Sequence, residues 1–297
     1  MNISAADDPY LATVSDSAAA TTPEPDPRPA GVRRTRWVAR HRIGAFLVLA
    51  FALSWWPWPL ALLNPASTAM VSFGPLIAAV VVAALAGGRP RLLGLLRGVG
   101  RWRVPWSRWA VALVGPFLAA GAVGALALTA GIVEPSSLAA GLDWSTWSAV
   151  PLLLVTTALL GGPLFEEVGW RGFLLEELQR RRSALASTLL VALIWSVWHL
   201  PLLISEPTGQ RPPLPFVVWI VAQAVLFTWL YNTSSGSVLL AIVFHATINV
   251  STRLLLEPLV GQDNFAVIWW LMAAAYCLVA AVVLVWTRGL RRTTGGK

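Results

Sequence analysis

Eight apolar runs occupy most of this chain, at about 43–63, 68–88, 108–132, 145–165, 184–204, 214–232, 237–256 and 265–287. Each approaches the ~20 residues that a helix needs to cross a hydrocarbon core of about 30 Å. Lipid offers no partner for backbone N–H and C=O groups, so runs of this length must be helical. The expected fold class is all-α, a polytopic transmembrane helical bundle of about eight spans. Composition agrees: 57% of the 297 residues are hydrophobic and 12% charged. A soluble domain carries about 25% charged residues, so a water-soluble fold is excluded. The single cysteine, Cys277, lies inside an apolar run, which leaves neither a disulfide framework nor a cysteine metal site.

Charge then divides the chain. Residues 1–35 are expected to be a disordered, acidic and Pro-rich tail, 36–290 the bundle, and 291–297 a polar C-terminal tail. Nothing in the tail has the basic and apolar regions of a secretory signal. The net charge of +8 does not form a nucleic-acid face, because the arginines flank apolar runs. They cluster before the first run (Arg33, Arg34, Arg36, Arg40, Arg42) and in the second loop (Arg89, Arg91, Arg97, Arg101, Arg103, Arg108). Arg180–Arg182 and the C-terminal Arg288, Arg291 and Arg292 follow the same alternation, while Arg211 is alone in 205–213. The positive-inside rule puts both termini in the cytoplasm. The mixed Leu/Arg stretch RPRLLGLLRGVGRWRVPW is expected along the cytoplasmic interface. Trp55/Trp56, Trp106/Trp109 and Trp269/Trp270 read as lipid-facing belt anchors.

Five polar residues on three runs stand out: Glu166, Glu167, His199, His245 and Asn249. An ionisable group in a span costs ~2.5–3.5 kcal/mol on insertion scales and marks a candidate functional site. The alternative, a clasp that only fixes helix packing, fits one such residue better than five. Glu166 lies about 16 residues before the Arg180–Arg182 turn and His199 about 16 after it, which puts both at one depth in a helical hairpin. His245 and Asn249 are i, i+4 and face the same way. The three helices are expected to converge on a polar pocket below the cytoplasmic surface. Glu167 and Arg171, also i, i+4, form a pair in the favourable order. Glu166 lacks that partner and is the candidate general base. Pro163 after Gly161 and Gly162, and Pro201 after His199, are expected to kink or interrupt their helices.

EEVGWR at 166–171, WSVWH at 195–199 and HATIN at 245–249 resemble the EExxxR, aromatic-xxx-His and HxxxN signatures of one family. These are the CAAX-processing and bacteriocin-processing (Abi, or type II CAAX prenyl endopeptidase) intramembrane proteases. The resemblance covers about residues 145–255, with Trp195 where the family often has Phe. It implies an intramembrane endopeptidase opening to the cytoplasm. Glu166 and His199 would activate water, His245 and Asn249 would stabilise the oxyanion, and Glu167 with Arg171 would hold the first motif in place. A carboxylate–imidazole pair and a His/Asn donor pair suit those tasks chemically. Zinc held by Glu166, His199 and His245 is an alternative, although the H-E-x-x-H motif is absent. The favoured expectation is no cofactor.

Two other classes fit the same residues: a transporter using them as an ion path, and a non-catalytic scaffold or bacteriocin-immunity protein. Expected partners are the lipid bilayer and a peptide or protein substrate, not nucleic acid. Twenty-one of the 22 basic residues are Arg, which points to a high-GC bacterial genome and hence to the bacterial plasma membrane. Glu176 and Glu177 are expected to be solvated with Arg180 and Arg181. Glu206, Glu257 and Asp263 fall in external loops, and His41 in the interfacial basic flank.

Overall fold

The computed structural model describes residues 37–64, 67–134, 136, 147–205, 211–259 and 264–290. The expected tails 1–35 and 291–297, with Glu206 and Asp263, lie outside them. Among the described residues there is no strand. Seven helical stretches are long and apolar enough to cross a membrane. They are α1–α2 (Arg42–Trp55, Trp58–Leu63), α3 (Gly74–Val99), α4 (Trp106–Thr129), α8–α9 (Ala184–Trp198, Leu200–Ser205), α10 (Pro213–Thr233), α11 (Val238–Leu255) and α12 (Phe265–Trp286). The remaining run, the fourth in chain order, is a bent pair. Here α5 (Val150–Leu160) meets the helix that starts at Pro163 at an angle of 48°.

The break has a local cause. Gly162 adopts φ +113°, a conformation open to glycine and strained for any other residue. Of the kink or interruption expected at Pro163, the structure has the interruption: Pro163 opens α6 (Pro163–Gly169). A missing N–H costs nothing in a first turn. From there α6 runs through a π-helical segment, Trp170–Leu175, into α7 (Glu176–Gln179). On the facing hairpin α8 ends at Trp198 and α9 begins at Leu200, so His199 occupies the interruption next to Pro201.

Helix α10 is the centre of the bundle and is buried over most of its length, whereas α3 is largely exposed at the outside. Around it α8 and α12 pack directly, α11 lies against α4 and α5, and α3 lies against α1 and α6. The α3–α6 approach depends on Gly169, where a Cβ would overlap the side chain and carbonyl of Pro75. Small residues allow such backbone contact in membranes.

The two ends of the bundle differ in charge. At one end Glu177 pairs with Arg42, Arg91 and Arg180 and joins α1, α3 and α7. The same end holds Ser237 Oγ donating to the Arg101 carbonyl (2.6 Å) and Arg108 Nε donating to Thr233 Oγ1 (3.0 Å). Asn232 donates to the Leu290 carbonyl there, so the C-terminal part of α12 arrives at this end too. Glu177 is only 3% exposed, contrary to the expectation of a solvated pair; Glu176 with Arg180 does remain exposed. At the opposite end Trp55 Nε1 donates to the Trp198 carbonyl (2.9 Å) and Trp58 Nε1 to Ser205 Oγ (3.1 Å). The tryptophan pairs split accordingly. Trp56, Trp106 and Trp270 are exposed, whereas Trp269 is buried and turned inward, so the belt reading fails for it. The Leu/Arg stretch is set off from the rest of α3 at Gly88 (φ +59°), which lets Arg91 reach Glu177.

Candidate active site

A cavity of about 680 Å³ is lined by Glu166, His199, His245 and Asn249, which gathers the candidates from α6, the α8–α9 interruption and α11 on one space. Most of its remaining surface is apolar and aromatic, including Trp195, Trp198, Phe216, Trp219 and Trp269. Glu167 and Arg171 do not line it. They lie behind, 0% and 1% exposed.

Glu166 stands in the first turn of α6, its N–H bonded to the Gly162 carbonyl (2.9 Å). Its Oε2 accepts from Trp195 Nε1 at 2.8 Å. The carboxylate thus has a fixed orientation with no direct ion pair among the described residues, and the backbone turn at Gly162 lies against its other oxygen.

Glu167 has the partners that Glu166 lacks. Its Oε1 accepts from Arg171 Nη1 (2.9 Å) and from His245 Nδ1 (2.8 Å). The Arg171 guanidinium is sandwiched between aromatic faces, 4.5 Å from the Trp195 ring centre and 3.9 Å from that of Phe227. A buried ion pair gains little net stability; what this one supplies is position. The i, i+4 pair was legible in the sequence, but its contact with His245 was not. Glu167 was read with its own helix, and nothing local points to a residue 78 positions away.

Both imidazoles are oriented through Nδ1. His199 Nδ1 donates to the Trp195 carbonyl at 2.8 Å. His245 Nδ1 donates to Glu167, so in each ring Nε2 is left for the cavity. A neutral ring then presents a lone pair there, and an imidazolium an N–H. Asn249, one turn beyond His245, brings an amide to the same wall.

Sequence reasoning missed two contributors. Trp195 entered only as the aromatic of a motif, yet it bonds Glu166, stacks on Arg171 and meets the His245 ring edge-on at 5.7 Å. Gln223, 2% exposed on α10, adds a polar group to the lining. Glu257, given no role, is at the rim.

The zinc set Glu166, His199 and His245 shares the cavity. Among the described residues, however, no group of three or more His, Cys, Asp or Glu side chains is arranged to hold a metal ion. The described donors do not fit a three-ligand site in this arrangement.

The cavity lies at the end of the bundle opposite the arginines. It is bounded by Met70 and Ser72 before α3, Arg211 before α10, Glu257 after α11 and Phe265 at the start of α12. Cytoplasmic termini and a pocket below the cytoplasmic surface therefore cannot both hold. The residue count already contained the reason. About 16 helical residues from the Arg180–Arg182 turn amount to roughly 24 Å, most of the way across the membrane.

With this geometry in place, comparison with known proteins finds two likenesses. Residues 147–251 match the family model of Rce1-like type II CAAX prenyl endopeptidases, a stretch that contains all six motif residues. These residues carry an Rce1-like region, as the three motifs indicated. Over 159 residues the chain is 31% identical to a CAAX prenyl protease 2 of Methanococcus maripaludis. The alignment covers 50% of this chain and 56% of that relative, so the chain spans about half the length of the curated relative it matches.

Proposed function

We propose that this protein is an intramembrane endopeptidase of the bacterial plasma membrane that hydrolyses a peptide bond with water, without a metal or covalent nucleophile. The observation that carries the proposal is the convergence of Glu166, His199, His245 and Asn249 on one cavity whose other lining residues are mostly apolar and aromatic. A carboxylate and an imidazole facing one space can polarise a water between them, and an apolar surround strengthens each such interaction.

In this mechanism water is held between Glu166 and His199 Nε2, and Glu166 takes its proton as the oxygen attacks the carbonyl carbon. The oxyanion accepts from the Asn249 amide and from Nε2–H of His245 in its imidazolium form. Glu167 holds that ring through Nδ1, and Arg171 holds Glu167. Collapse of the tetrahedral intermediate breaks the C–N bond, and Glu166 returns the proton to the leaving amine. Water is thereby consumed and one carboxylic acid and one amine are released, the acid proton passing to the amine to give carboxylate and ammonium.

The test uses the purified full-length protein in lipid vesicles with a peptide library, with and without a zinc chelator. Cleavage that survives chelation and disappears in Glu166→Gln is expected. Cleavage abolished by chelation and restored by zinc alone would overturn the metal-free mechanism. A wild type that cleaves nothing would overturn the proteolytic assignment.

A further inference from the structure

We propose that the cavity is entered from the extracytoplasmic side of the membrane, so that its substrates are peptide segments exposed on or exported to that side. As a statement about substrates this rests on the proteolytic reading; as a statement about orientation it does not.

Charge sets the orientation. Arg42, Arg91, Arg101, Arg108, Arg180 and Arg288 belong to elements that meet at one end of the bundle. Arg211 and Arg253 are the two described arginines at the other end. A bias of this size in short loops places the arginine-rich end in the cytoplasm.

Packing determines which end a substrate can use. Glu166 is about 20 Å along the helix from Gln179 at the cytoplasmic end. That distance is filled: Trp170, Leu174 and Leu175 are fully buried, Phe173 is 3% exposed, and none of them lines the cavity. The Glu167–Arg171 pair closes the space directly behind Glu166. Towards the other end the lining continues through Asn249, Thr252 and Leu256 along α11 to the exposed Glu257. It also reaches Arg211, which adds an opposite charge to the rim.

A prenylated C-terminus in the cytoplasm would approach the sealed end. An exported peptide would meet, among the described residues, a rim carrying Arg211 and Glu257 and then an aromatic interior.

The test labels single cysteines in intact cells of a bacterial host with a membrane-impermeant maleimide, in a Cys277→Ala background. Glu257→Cys at the rim is expected to react before permeabilisation, at least ten-fold more than Ser107→Cys at the arginine-rich end. Ser107→Cys is expected to react only after permeabilisation. The reverse pattern, or comparable labelling of both in intact cells, overturns the proposal. Should Glu257→Cys prove unreactive even in permeabilised cells, C-terminal reporter fusions decide. Fluorescent-protein activity supports the orientation, because the chain after Leu290 leaves from the arginine-rich end; periplasmic phosphatase activity overturns it. None of these readouts needs turnover. A protein oriented as proposed that cuts nothing removes the proteolytic reading, and an active enzyme with reversed labelling removes this inference alone.

Discussion

Glu167 and His245 stand 78 positions apart and share a 2.8 Å hydrogen bond behind the cavity, with Arg171 on the same carboxylate oxygen. This bond converts a local pair on one helix into the link that sets the ring orientation on another. It also divides the labour between adjacent carboxylates: Glu167 is enclosed and doubly bonded, and Glu166 lines the cavity.

The two carboxylates should therefore fail differently. Glu166→Gln is expected to lose at least 100-fold in turnover, the usual scale for a general base, with thermal unfolding in detergent unchanged. Glu167→Gln leaves Arg171 buried without its counter-charge and should cost ~3–5 kcal/mol of stability as well as activity. Equal loss of stability in both variants would contradict the division.

Trp195→Phe keeps an aromatic face under Arg171 and deletes the donor to Glu166 Oε2. A hydrogen bond to a charged group is worth ~1.5–3 kcal/mol, so roughly a ten-fold or greater fall in kcat is expected, with KM little changed. A variant with unaltered kcat would remove Trp195 from the positioning of the base.

Gly162→Ala tests the broken span. A side chain at φ +113° is strained by ~1–3 kcal/mol, and its Cβ would come within 3.1 Å of Glu166 Oε1. Both stability and turnover should fall. Gly161→Ala, with ordinary backbone angles but a Cβ pressed against the Thr157 carbonyl, should affect stability more than chemistry. Steady-state kinetics beside thermal melts separates the two.

Glu177→Gln removes the common partner of Arg42, Arg91 and Arg180 far from the cavity. A loss on the order of 1–3 kcal/mol is expected, because the carboxylate is buried while the arginines are partly solvated. Cleavage per folded molecule should not change. A selective loss of kcat would show that this end communicates with the site.

What the sequence made legible follows from local physics. Apolar run length marked the spans, and i, i+4 spacing marked the Glu167–Arg171 pair and the shared wall of His245 and Asn249. What escaped depends on packing between distant segments. Glu177 carries no sign that Arg42 and Arg91 will cover it, Trp269 none that it faces a cavity while Trp270 is exposed, and Glu167 none that His245 will reach it. The conflict between cytoplasmic termini and a cytoplasmic pocket is of another kind. Equal counts from a turn establish equal depth, and the depth itself had to be multiplied out before a face was assigned.

The most direct measurement of the central claim compares new protein N-termini in membranes of cells expressing wild type or Glu166→Gln at matched levels. Proteolysis by the Glu166 site predicts a set of neo-termini present with wild type and absent with the variant. Identical termini in the two, with both proteins folded and inserted, would contradict it.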